Sequence, residues 1–216
     1  MEPDLGKGGT TDMSVSQLWE DIESGQLLLV DVRSLKVYCA AHVPAAVNVP
    51  YGGLQGWAED LAQWLKQVGL PFCLFADDVE LASAALGALG DHDVSPTTVW
   101  DKGAEEWQKE GGPIVSVANI EADDLKASLD NYAVLDVREP IEWRTGTIPG
   151  SIKISLGQLP QQWETLDRGR AYAVVCAHGN RSLRGAAFLA DHGFDASSVA
   201  GGMKAWSDAG HPVERN

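Results

Sequence analysis

The chain has little of what disulfide scaffolds, metalloproteins, membrane proteins or nucleic-acid binders are built from. Its three cysteines, Cys39, Cys73 and Cys176, are odd in number, widely spaced and contain no CxxC pair. This excludes a disulfide framework and reads as reduced thiols. Five histidines, His42, His92, His178, His192 and His211, show no HxxxH or HxH spacing, so no metal site is expected. No apolar run approaches the about 20 residues of a spanning helix, and Met1 to Thr11 lacks the basic, apolar, small-residue order of a secretory signal. A cytoplasmic protein with no membrane contact is the expectation. Positive charge is also scarce: 16 Lys and Arg face 31 Asp and Glu, a net charge of -15. Such a chain lacks the basic footprint needed to displace counterions from a nucleic acid. The deficit is uneven, -12 over residues 1–115 against -3 over residues 116–216. An anion would therefore find the second half the less hostile one.

What remains is an ordinary globular composition, 44% hydrophobic and 22% charged, over 216 residues. That length suits two domains of about 100 residues each. The chain repeats itself accordingly. Leu28-Leu29-Val30-Asp31-Val32-Arg33 is answered by Ala133-Val134-Leu135-Asp136-Val137-Arg138, and the match runs without a gap from Ala41–Val47 to Gly146–Ile152. Lys102–Trp107 is likewise set against Gly201–Trp206, and Pro113 against Pro212. This marks a duplicated domain, with copies at 13–114 and 117–214 and a short Gly- and Pro-marked joint over 111–119. Short apolar runs alternate with helical patterns in each copy, which implies an α/β fold with parallel strands and crossover helices. Strands are expected near 133–135, 152–154, 171–175 and 197–199, and helices near 121–129, 140–144, 159–166, 183–192 and 203–209. In the first copy Leu54, Trp57, Leu61, Trp64, Leu65 and Val68 fall on one helical face and read as core.

The most informative stretch is Cys176-Ala177-His178-Gly179-Asn180-Arg181-Ser182, set between an apolar strand and a helical pattern. A strand-to-helix junction aims unpaired backbone N–H groups at one point, and the helix dipole favours negative charge there. A cysteine so placed ionises easily and acts as a nucleophile. The plainer alternative is a small buried hydrophobe. The neighbours argue against it, because Gly179 and Asn180 permit tight curvature while His178 and Arg181 bring donors. Arg181 is expected to hold the oxygens of an anionic donor. His178 stands evenly between orienting substrate and lining the loop. Asp136 and Arg138, repeated as Asp31 and Arg33, read as structural ion pairs.

The Asp-Val-Arg strand end, the Gly-Thr-Ile-Pro-Gly-Ser turn, the cysteine loop and the Gly-Gly-Met-Lys-Ala-Trp close, all in order across residues 120–213, together resemble a rhodanese domain. Residues 13–114 resemble the same family without the loop chemistry. The resemblance implies tandem domains, each a five-stranded parallel sheet flanked by helices, with the loop cysteine carrying a persulfide during sulfur transfer. Four residues separate Cys176 from Arg181, as in sulfurtransferases; cysteine phosphatases and arsenate reductases carry five, which leaves those activities as a distant alternative. In the first copy, strand-to-strand alignment sets Phe75 opposite Cys176 and acidic residues opposite the rest of the loop. Cys73 reads as a buried strand residue, Cys39 as a quiet thiol, and Asp77 and Asp78 as helix-starting residues.

The expected function is a sulfurtransferase moving a sulfane sulfur from a small anionic donor, thiosulfate by weak analogy, through Cys176 to cyanide or a thiol. No cofactor is required. The alternative is a persulfide carrier that delivers sulfur to a protein acceptor, with the acidic first copy guiding a basic partner.

Overall fold

A computed structural model describes residues 13–53 and 56–215. The reading of Met1 to Thr11 and the place of Leu54 in the apolar stripe lie outside these residues. The chain separates into two compact units, changing over between Ile114 and Val115, with the short stretch Cys39–Ala41 grouped with the second. No helix among the described residues is long and apolar enough to cross a membrane.

The first unit runs α1 (Val15–Glu23), β1 (Leu28–Asp31), α2 (Leu35–Ala40), β2 (Val47–Asn48), α3 (Trp57–Val68), β3 (Phe72–Phe75), α4 (Val79–Gly90), β4 (Thr98–Trp100) and α5 (Gly103–Lys109). Its sheet, four-stranded among the described residues, has the order β2-β1-β3-β4, and every pairing is parallel. The second unit runs β5 (Ala118–Ile120), α6 (Ala122–Ala127), β6 (Tyr132–Asp136), α7 (Pro140–Trp143), β7 (Ile152–Lys153), α8 (Leu159–Gln162), β8 (Ala171–Val175), α9 (Asn180–Asp191), β9 (Ala196–Val199) and α10 (Gly202–Asp208). Its five strands lie in the order β5-β9-β8-β6-β7, again all parallel. Two departures from the expected elements stand out. Ala118 and Asn119, assigned to the joint, belong to the edge strand β5, and α9 begins three residues before the apolar periodicity does, at Asn180.

The central strands are nearly continuous apolar runs because helices cover both faces of a parallel sheet. All four residues of β3 are buried, as are the last four of β8. Trp57, Leu61 and Leu65 from the α3 stripe pack on Val30, Leu74 and Leu89 in the first unit. In the second, Leu125, Val134, Ala173, Val175, Met203 and Trp206 form the corresponding core. The duplication extends to detail. Trp107 Nε1 donates to the Pro113 carbonyl oxygen and Trp206 Nε1 to that of Pro212, at 3.2 and 2.8 Å.

Asp136 and Arg138 form the ion pair expected of them. Arg138 Nε lies 2.9 Å from Asp136 Oδ1, and Nη2 lies 2.6 Å from Oδ2. Asp31 and Arg33 repeat this at 3.0 and 2.6 Å. Arg138 Nη2 also donates to the Gly146 carbonyl at 2.8 Å, so the pair pins the turn that leads to β7. Both side chains are buried, and removing one partner strands a charge away from water. Asp136→Asn should therefore cost about 3–5 kcal/mol of the second unit's stability, read from urea unfolding; a loss below about 1 kcal/mol, the scale of an exposed pair, would contradict this role.

Candidate functional site

The site begins where β8 ends. Val137 N–H donates to the Val175 carbonyl at 2.9 Å, the last rung of the β6–β8 ladder. The next residue, Cys176, leaves the sheet, and its carbonyl is taken by Met203 N–H at 2.7 Å while Ala177 O accepts from Lys204 N–H at 3.1 Å. Two peptides of the loop are thus fastened to the first turn of α10. That approach requires Gly202: a Cβ there would stand 2.2 Å from Cys176 O and 2.9 Å from His178 N, both backbone atoms. This proximity explains the second glycine of the closing motif; the first, Gly201, takes φ +67° and would set a Cβ 2.8 Å from that of Ala205.

Gly179 then takes φ +104° as N-cap of α9, a conformation L side chains rarely adopt. Its N–H points back at Cys176 Sγ, 3.1 Å away. Ser182 Oγ lies 3.6 Å from Sγ on another side, 2.9 Å from Gly179 O and 2.8 Å from Ser198 Oγ. Ser182 and Ser198 are both fully buried, so the sulfur rests on a chain of hydroxyls.

Cys176 itself is only 1% exposed, yet its surroundings are polar. Burial alone would push the thiol pKa up. The Ser182 hydroxyl and the backbone N–H groups of Ser182, His178 and Gly179 outweigh burial, and the net shift is downward. Cys73 shows what burial does when it is opposed by one backbone N–H, that of Trp100: fully enclosed in β3, the thiol is pushed up to about 12.

The loop residues divide by what they contribute. Gly179 and Ser182 touch the sulfur, and His178 offers its backbone N–H. The His178 side chain is exposed, and its imidazole takes no hydrogen bond among the described residues. Ala177 is half-buried and Asn180 exposed at the first position of α9. Arg181, expected to hold a donor's oxygens, is engaged by a carboxylate of the protein itself. Its Nη1 and Nη2 meet Glu142 Oε2 and Oε1 at 2.6 and 2.8 Å, a bidentate pair between α9 and α7. Arg181 first of all, then Glu139 N–H and the charge of Arg138, hold the Glu142 carboxyl down at about 2 against partial burial. Glu142 and Ser198 were both missed from the sequence. Only the position of Glu142 four residues after Arg138, and of a serine inside an apolar strand, were there to notice.

In the first unit the sheet register corrects the position opposite the sulfur. Asp31 pairs with Phe75 and Asp136 with Val175, so Phe75 is level with Val175 and Ala76 with Cys176. The Phe75 ring is a core group, near Trp100 and Trp107 and under the Arg33 guanidinium. From Ala76 the chain needs two residues to reach its helix N-cap, Asp78, where Cys176 needs three to reach Gly179. Asp78 accepts from Leu81 N–H at 2.8 Å as a capping residue should, while Asp77 lies 3.3 Å from Arg33 Nη1.

The profile of the rhodanese-like domain matches residues 14–110 and again residues 121–209. The chain belongs to the rhodanese-like domain family. A Bacillus subtilis protein named "Putative sulfurtransferase YtwF" is 37% identical over 93 residues, 43% of this chain and 84% of its own. Among solved structures, a rhodanese-related protein of Thermoplasma volcanium is 42% identical, covering 46% of this chain and 99% of its own, with a TM-score of 0.45. A thiosulfate sulfurtransferase of Pseudomonas aeruginosa is 22% identical over 94% of this chain and 43% of its own, with a TM-score of 0.47. Each rhodanese-like unit here is thus a parallel sheet flanked by helices, two in tandem.

If the Ser182 hydroxyl stabilises the ionised sulfur, Ser182→Ala should move the pH profile of Cys176 alkylation to higher pH. Iodoacetamide rates against pH, with Cys176→Ser as the blank, check this; an unmoved profile would remove Ser182 from the site.

Proposed function

We propose that the second unit, residues 117–214, is the working domain of a sulfurtransferase and that Cys176 is its nucleophile. Membership in the rhodanese-like family supplies the coarse class, and the B. subtilis relative carries the same name. The observation that carries the finer reading is the sulfur's setting: Gly179 N–H at 3.1 Å, with further N–H and hydroxyl donors that outweigh the cost of burial. Such a ring stabilises a thiolate before reaction and a terminal persulfide sulfur after it.

In the first half-reaction the Cys176 thiolate attacks the outer sulfur of an anionic donor. With thiosulfate, the new S–S bond forms as the donor's S–S bond breaks and sulfite leaves with the electron pair. In the second, cyanide or a thiolate removes the outer sulfur and the thiolate returns, giving ping-pong kinetics. The reaction asks for no cofactor. The loop residues Ala177 to Ser182 hold the transferred sulfur through their backbone, and the first unit, residues 13–114, is proposed as a degenerate copy, since a methyl group at Ala76 stands level with the nucleophile.

Intact mass after incubation with donor should show one added sulfur in the parent and none in Cys176→Ser, and thiocyanate should form from thiosulfate and cyanide only with the parent. Equal sulfur uptake by the serine variant would overturn the assignment. Stoichiometric persulfide without turnover would make the protein a sulfur carrier for a protein acceptor instead.

A further inference from the structure

Arg181 is the side-chain cation of the loop, and it already has a ligand. Glu142 engages both terminal nitrogens of its guanidinium at 2.6 and 2.8 Å, the fork-to-fork arrangement that an oxyanion donor would itself seek. The carboxylate cannot be released by protonation at any working pH, because its pKa lies at about 2. A donor oxyanion must displace Glu142 or approach a guanidinium whose charge is cancelled. Arg181 lies within electrostatic reach of Cys176, and so does the second carboxylate Glu139 of Arg181. Counting the thiolate, three negative groups surround one positive one. Arg138, whose charge also bears on Glu142, is paired with Asp136.

We propose that Glu142 sets the charge specificity of the sulfur donor: by occupying Arg181 it disfavours doubly charged donors such as thiosulfate relative to hydropersulfides of thiols. This rests on the reading of Cys176 as the sulfur-accepting nucleophile. With a hydropersulfide, R–S–SH, the thiolate attacks the outer sulfur. The Cys176 S–S bond forms, the donor S–S bond breaks, the electron pair leaves on RS⁻, and the proton stays on the transferred sulfur. No extra charge enters the loop. With thiosulfate two further negative charges must sit beside the pair. Glu142 is also part of the N-terminal turn of α7, where its Oε2 accepts from Glu139 N–H at 3.0 Å. Glutamine can make that capping bond as well, so Glu142→Gln removes charge and keeps the turn.

The test compares the full-length parent, Glu142→Gln and Glu142→Asp. Single-turnover sulfur loading of Cys176 is measured with thiosulfate and with the hydropersulfide of N-acetylcysteine amide at low ionic strength. The ratio of thiosulfate to hydropersulfide efficiency should rise by about threefold or more in Glu142→Gln, the scale of one screened charge, and stay near the parent ratio in Glu142→Asp. A smaller rise, no change or a fall overturns the proposal. A second readout does not depend on sulfur chemistry: the ratio of iodoacetate to iodoacetamide rates at Cys176 should rise in the same variant and no other. If no donor loads any of the three proteins, the sulfurtransferase reading falls, while the alkylation ratio still decides the role of Glu142.

Discussion

A sulfur atom enclosed at the end of a buried strand stays neutral unless something replaces the water it has lost. Here the replacement is backbone. Gly179 turns its N–H onto Cys176 because a positive φ is open to glycine, and Met203 and Lys204 N–H groups hold the carbonyls of Cys176 and Ala177. Ser182 and Ser198 complete the floor beneath the sulfur. Gly202 of the closing motif and Gly179 at the α9 start serve this arrangement. Cys73, in the same chain and equally buried, lacks these donors and is held neutral.

Much of this was legible beforehand, and the reasons are physical. Strand β8 and the thiol loop could be read because a five-residue apolar run, a glycine and a helical pattern follow one another without ambiguity. The Asp-Val-Arg pairs were readable because a charge two residues from another at a buried strand end has few options other than its neighbour. Side-chain contacts between distant segments were not readable. Glu142 is 39 residues from Arg181, and no local pattern joins α7 to α9. The edge strand β5 was hidden because its exposed Ala118 and Asn119 look like linker. The one-residue error at Phe75 arose because the first copy's loop is shorter by one, which only the register with Asp31 reveals.

The two copies place different loops on the same frame. Both keep the same sheet core, the same aspartate–arginine pair and the same tryptophan-to-proline hydrogen bond. They differ at the strand end, where Ala76 is level with Cys176, in a loop shorter by one residue, and in the side chains of that loop. The first copy fills the helix start with Asp78, which satisfies the helix but leaves negative charge where an anion would have to come. The second copy uses Gly179 at that place and keeps its N–H groups for the sulfur.

The account stands on the ionisation state of Cys176. Titrating the thiolate absorbance of the parent against Cys176→Ser measures it directly. A difference signal that appears with a midpoint below that of an ordinary cysteine is the predicted result. A midpoint at or above the ordinary value would mean that burial prevails over the donor ring, and would contradict the account.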